Sequence, residues 1–155
     1  MIGWQIIDND LTGDDIKALL AGHASAMLEN SPAGSTHFLN LEQLRGPDIR
    51  FWSIHQGDAL AGCGALKLLD AVSAEVKSMR TAEAFLRKGA AGHLLEHMIH
   101  HARVTGLERL YLETGTSAAF TPAHALYRKY GFEFCGPFGD YQPSPHNIFM
   151  VLNLR

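Results

Sequence analysis

The run Arg87-Lys88-Gly89-Ala90-Ala91-Gly92 places two cations and two glycines just ahead of an apolar-periodic segment. The first N–H groups of a helix lack internal partners and sit at the positive end of its dipole, and glycine lets an anion approach the backbone closely. The arrangement suits a phosphate. It is neither GxxxxGK[ST] nor GxGxxG, so neither a P-loop nor a dinucleotide fingerprint is present. Taken alone, it leaves a plain helix start with small residues packed closely as the less favoured alternative. A second segment, Ala123-His124-Ala125-Leu126-Tyr127-Arg128-Lys129-Tyr130-Gly131-Phe132, puts Tyr127 and Tyr130 near one helix face before a glycine stop. Alone, it reads as a helix end with an aromatic core contact.

Two other residue sets could do chemistry. His93, His97 and His100 fall at i, i+4 and i+7 of one helix, which is metal-ligand spacing. No cysteine stands nearby and Glu96 points elsewhere on the wheel, so a solvated helix face is the favoured reading and no metal is expected. Cys63 lies between Gly62 and Gly64 in a buried-strand pattern and reads as a small core residue rather than a nucleophile. With Cys135 it makes two cysteines, too few for a disulfide framework.

The elements around these residues follow from periodicity. Trp4 to Ile7 predicts a strand, and Ile16, Leu19, Leu20, His23, Met27 and Leu28 predict a helix ended by Asn30 to Ser35. A short helix over Leu41 to Arg45 stops at Gly46-Pro47. Phe51 to Ile54 and Leu60 to Leu68 predict a hairpin turning at Gln56-Gly57-Asp58. Val72 to Arg80 alternates as a strand, with Val72, Ala74, Val76, Ser78 and Arg80 on one face and Ser73, Glu75, Lys77 and Met79 on the other. The strongest helix starts near Ala90, carries Leu94, Leu95, Met98, Ile99 and Ala102 on one stripe, and ends at Gly106. Leu107 to Glu113 predicts a strand, Ala123 to Tyr130 a short helix with Pro122 where a first turn tolerates it, and Phe132 to Phe134 and Ile148 to Leu152 the last strands. Hairpins with one strand-helix-strand crossover make a mixed α+β or α/β sandwich.

The chain has 155 residues, with 46% apolar and 19% charged side chains, which fits one globular domain over 1–155. The formal charge of -3 lacks the basic surplus a nucleic-acid partner needs. No apolar run suggests a membrane span, no signal peptide is evident, and a cytoplasmic location is expected.

At the two motifs the chain resembles the GNAT superfamily of N-acetyltransferases. The family's cofactor loop reads Gln or Arg, two variable residues, Gly, a variable residue, then Gly or Ala. Leu86, Arg87, Lys88, Gly89, Ala90 and Ala91 stand in those places, with Leu86 departing from the pattern. The family's helix reading Leu-Tyr, then Gly-Phe, matches Leu126-Tyr127 and Gly131-Phe132, about 40 residues further on, which fits one helix and one strand between. Glu75 to Thr81, Leu112 to Gly115 and Pro137 to Tyr141 are also similar to the bacterial YsnE-like branch.

The resemblance implies a GNAT-like mixed sheet of about six to seven strands flanked by about four helices. It implies acetyl-coenzyme A as the co-substrate and direct attack by the primary amine of a small molecule or peptide. Backbone groups of Met79, Arg80 and Thr81 would pair with the pantetheine arm like an added strand. Amides of Arg87, Lys88, Gly89, Ala90, Ala91 and Gly92, with His93, would hold the pyrophosphate. Tyr127 matches the family's general acid. Glu75 or Glu113, on strands flanking the expected cleft, is the candidate base, while His37, Tyr141 and His146 are candidates for the acceptor side. A homodimer is compatible with the family, though no residue demonstrates it. A non-catalytic acetyl-coenzyme A sensor is the alternative, followed by metal binding through the His93/His97/His100 face.

Overall fold

A computed structural model of the chain describes residues 3–32 and 39–155. His37 lies outside the described residues. In chain order the elements are β1 (Trp4–Asp8), α1 (Asp14–Asn30), α2 (Leu41–Leu44), β2 (Ile49–Gln56), β3 (Ala59–Leu68), β4 (Ser73–Thr81), α3 (Ala90–Val104), β5 (Arg109–Gly115), α4 (Thr121–Lys129), β6 (Glu133–Cys135) and β7 (Asn147–Asn153). The strands form one seven-stranded sheet in the order β1-β2-β3-β4-β5-β7-β6. The β4–β5 pair is parallel and its neighbours are antiparallel, which makes a mixed sheet with four flanking helices.

Each face of the sheet has its own apolar layer. Trp52, Ile54, Leu66, Val76, Leu110 and Leu112 meet the α3 stripe of Leu94, Leu95, Met98, Ile99 and Ala102, with Tyr127 of α4 joining them. The stripe read from the sequence is therefore the buried face of α3, and each fully buried large aliphatic contributes about 1.5–3 kcal/mol. On the opposite face, Phe51, Cys63 and Ala65 meet Ile16 of α1 and Leu44 of α2. A capping box fixes the start of α2: the Asn40 side chain accepts from the Gln43 N–H while the Gln43 side chain accepts from the Asn40 N–H.

Two irregularities in β4 shape the centre of the molecule. First, simple alternation fails at Ser78, which adopts φ 58° where β4 shifts register against β3. Cys63 pairs with Arg80 and Ala65 with Lys77, so Ser78 and Met79 together oppose Gly64, a β-bulge. The extra residue reverses the pleat. Met79 packs with Val76 on the α3 face, whereas Arg80 joins Cys63 and Lys77 on the α1 face. The expectation that Arg80 shares a face with Val76 is thus corrected, because a bulge adds one residue to a period of two.

Second, β4 and β5 stay paired only from Ser73–Arg109 to Glu75–Tyr111. Beyond that point β4 runs on to Thr81 and β5 to Gly115 without bonding each other. The sheet opens as a fork there, and one edge of β4 has backbone groups unclaimed by a neighbouring strand.

Candidate active site

One cavity of about 310 Å³ runs from the start of α3 into the fork, past Leu86, Ala91, Leu94, Met79, Thr81 and Pro122 to Tyr127. At its outer end Leu86 and Ala91 line it, on either side of the predicted anion turn. Arg87 (φ 62°) and Gly89 (φ 92°) both take the left-handed conformation, the second of which suits glycine alone. Alternating turn geometry of this kind gathers successive N–H groups into a concave nest. No side chain caps α3, and helical bonding starts with the His93 N–H donating to the Gly89 carbonyl at 3.1 Å. The amides ahead of His93 therefore remain available to an anion, while the His93 amide is engaged inside the helix and its ring packs against Trp4. Gly92 leaves room for the Tyr130 hydroxyl, which would lie 2.9 Å from a Cβ there. The open β4 edge adds backbone donors and acceptors along the groove. Amides without helical partners at one end and a strand edge leading inward have the polarity and order that a pyrophosphate followed by an amide-bearing arm would need.

A second cavity of about 210 Å³ lies on the α1 side of the fork. Strands β4 and β5 supply Glu75, Lys77, Ser78, Arg80 and Glu113, and α1 supplies His23, Ala26, Met27 and Asn30 at i, i+3, i+4 and i+7 spacing. The two cavities share Met79, Arg80, Ala119, Ala123 and Tyr127. Tyr127 is only 7% exposed, and burial pushes its phenol well above the usual tyrosine range, so it stays protonated at neutral pH. Its ring is held edge-on by Phe132, and its carbonyl accepts from the Phe132 N–H at 3.1 Å.

The carboxylates are fixed rather than loose. Glu75 is 4% exposed; it accepts from the Tyr141 hydroxyl at 2.6 Å and from Lys77 Nζ at 3.2 Å, and Lys77 also donates to the Tyr141 oxygen at 3.0 Å. Such a buried ion pair compensates charges that would otherwise be costly to desolvate. Burial and the adjacent Glu75 hold the Tyr141 phenol far above its ordinary value. Glu113 accepts from the Asn147 side-chain amide of β7. Tyr141 reaches Glu75 because the segment between β6 and β7 folds over the sheet, with Phe138 stacked on Tyr111 at 4.8 Å and edge-on to Tyr141 at 5.0 Å. The Tyr141 ring lines a separate, larger recess of about 780 Å³, which also holds His146, so Glu75 and Lys77 stand between that recess and the 210 Å³ cavity.

The chain matches the model of the acetyltransferase (GNAT) family over residues 17–132. It belongs to that family. It is 51% identical over 146 residues to the uncharacterized N-acetyltransferase YsnE of Bacillus subtilis, covering 94% of this chain and 97% of that one. It is 50% identical over 146 residues to the uncharacterized N-acetyltransferase YedL of Escherichia coli, covering 94% and 92%. A putative acyl-CoA N-acyltransferase from Klebsiella pneumoniae has the same fold, with a TM-score of 0.82, 27% identity and 98% of both chains covered. The protein is thus a GNAT acetyltransferase of the YsnE/YedL kind, and acetyl-coenzyme A is the donor expected of that family.

The GNAT fold gathers residues that the sequence leaves scattered. Tyr127, Glu75, Glu113, Met79 and Arg80 converge on one cavity. His23, Asn30 and Ser78 complete it without having been singled out as site residues. A signal for His23 existed: it is the one imidazole in the apolar stripe of α1, a place where a polar ring needs a reason. Ser78 gave no signal, because nothing in a serine announces a positive φ. Leu86, which replaces the family's polar loop residue, is 53% exposed along the groove wall. The histidines of α3 take other places: His97 and His101 flank the Trp52 ring at 5.6 and 5.0 Å, and among the described residues no three His, Cys, Asp or Glu side chains gather as a metal site. Cys63 is fully buried, with its thiol pushed up to about 12 by desolvation. No helix of the described residues is long and apolar enough to cross a membrane.

Proposed function

We propose that this GNAT enzyme moves the acetyl group of acetyl-coenzyme A directly to the primary amine of a small acceptor, with Tyr127 serving the departing sulfur. The observation carrying this reading is the meeting of the two cavities at Tyr127 and Met79. The groove from the α3 amides takes the donor, and the cavity under α1 takes the acceptor.

In the reaction the neutral amine nitrogen attacks the thioester carbonyl, the new C–N bond forms, and the C–S bond breaks. The acceptor's ammonium first loses one proton to Glu75 or Glu113, directly or through a water; the nitrogen sheds a second as the amide forms, and that proton returns to Tyr127 once the phenol has protonated the sulfur. The electron pair of the C–S bond leaves with sulfur, which takes a hydrogen bond and then a proton from the Tyr127 phenol. Tyr127 suits that role because a phenol is protonated at neutral pH and this one lines both cavities. Backbone N–H groups on the free edge of β4 stabilise the carbonyl oxygen as it gains charge. Holding both reactants in adjoining cavities supplies the proximity on which a direct transfer depends.

The test is an acceptor screen that follows free thiol release, with mass spectrometry of the acceptor. A product heavier by one acetyl group on an amine supports the reading. Saturable coenzyme binding with no thiol release from any amine would contradict it and favour a sensor.

A further inference from the structure

Two of the residues lining the 210 Å³ cavity, Ser78 and Arg80, carry polar atoms with no protein partner among the described residues. Ser78 Oγ and Arg80 Nε are both buried and have no hydrogen-bond partner among the described residues. Ser78 is only 8% exposed. An unpaired buried hydroxyl or guanidinium N–H costs about 1–3 kcal/mol, so each calls for a partner, a water or a ligand. The bulge at Ser78 brings both side chains there, since its positive φ turns Arg80 toward Lys77 and the α1 face.

The charges divide in the same way. Of the two cations lining the cavity, Lys77 is paired with Glu75 at 3.2 Å, whereas Arg80 makes no ion pair with a described carboxylate. A guanidinium offers a planar fork that matches a carboxylate. Glu75 and Glu113 line the same space and suit an ammonium. The volume matches one small molecule.

Resting on the acetyl-transfer reading above, we infer that the acceptor is a small zwitterion of the amino-acid class, its carboxylate held by Arg80 and Ser78 and its amine turned toward Glu75 and Glu113. A peptide amine or a simple alkylamine lacks the carboxylate and would leave Arg80 unpaired.

The test compares free amino acids with their carboxamides, which keep the amine and side chain but lose the anion. With the wild-type enzyme, thiol release from the preferred acid exceeds that from its amide by at least about tenfold in kcat/KM, the scale of one charge-assisted hydrogen bond. Arg80→Gln and Ser78→Ala each move that ratio toward one. Because the ratio is taken within a single variant, a loss of folded protein or of coenzyme affinity cancels from it. Amides used as well as acids by the wild type, or a ratio unmoved by both substitutions, would overturn the inference. If no acceptor releases thiol, the acetyl-transfer reading fails on its own. Titration of the same acids and amides into the coenzyme A-saturated protein, followed by NMR, then decides: selective binding of acids upholds the subsite, and equal or no binding overturns it.

Discussion

His23 illustrates how a single side chain records the nature of the cavity it lines. Desolvation, followed by the nearby positive charge of Arg80, lowers its pKa from 6.5 to about 4. In the unfolded chain the ring binds a proton below about pH 6.5, while in the folded protein it stays neutral until about pH 4. The unfolded state therefore holds more protons in that window, and stability falls as pH drops through it. For a half-buried ring the loss is about 1–2 kcal/mol. Urea denaturation between pH 7 and pH 4 is expected to show this slope in the wild type and a shallower one in His23→Gln. Identical slopes would mean that His23 is solvated. The same neutrality leaves Arg80 and the Glu75-paired Lys77 as the cations lining the proposed acceptor cavity, with His23 adding none.

Strand β4 is the element on which the site depends, and its partner β3 must come unusually close. A Cβ built on Gly62 would stand 2.8 Å from the Arg80 carbonyl oxygen and 3.4 Å from Ile54 Cγ2. The carbonyl belongs to the backbone and cannot swing away, so Gly62→Ala has to push β4 toward the fork. The expected cost is about 1–3 kcal/mol in urea denaturation, with weaker coenzyme binding because the moved edge lines the groove. Gly22, on the exposed part of α1, has open space around its Cβ position. Gly22→Ala should instead stabilise by about 0.5–1 kcal/mol through helix propensity. Equal stability of the two variants would show that the close approach is relieved elsewhere. The element scale is also where sequence reasoning divides most clearly. The α3 stripe was legible because apolar spacing of 3.6 residues needs no tertiary information, and the buried face contains Leu94, Leu95, Met98, Ile99 and Ala102 as that spacing requires. The faces of β4 were not legible beyond Lys77, because the alternation rule carries no mark of an inserted bulge and Ser78 looks like any strand serine.

At the scale of the whole molecule, the fork between β4 and β5 turns a sheet into an enzyme. The parallel pair holds only up to Glu75 and Tyr111, and the two cavities open in the widening gap beyond it, one for the donor and one for the acceptor in the proposed reaction. Much of this was readable in outline: Gly89 to Gly92 and Leu126 to Phe132 pointed to the family, hence to the crossover and the groove. What lay beyond the sequence was convergence. Lys77 and Tyr141 are 64 residues apart yet share a hydrogen bond, and only the fold over the aromatic cluster of Phe138 and Tyr111 brings them to Glu75. The α1 wall of the 210 Å³ cavity was hidden for the same reason, because His23 and Asn30 come from a helix whose pattern describes packing. Tyr127 lines both cavities, and one comparison decides whether it serves the departing sulfur. Thiol release from acetyl-coenzyme A is measured for wild type and Tyr127→Phe with the same saturating amine, beside calorimetric affinity for coenzyme A. The prediction is a fall in kcat of about 100-fold or more with coenzyme affinity changed by no more than about twofold, the pattern of a group acting mainly in the transition state. Undiminished turnover in Tyr127→Phe would contradict it.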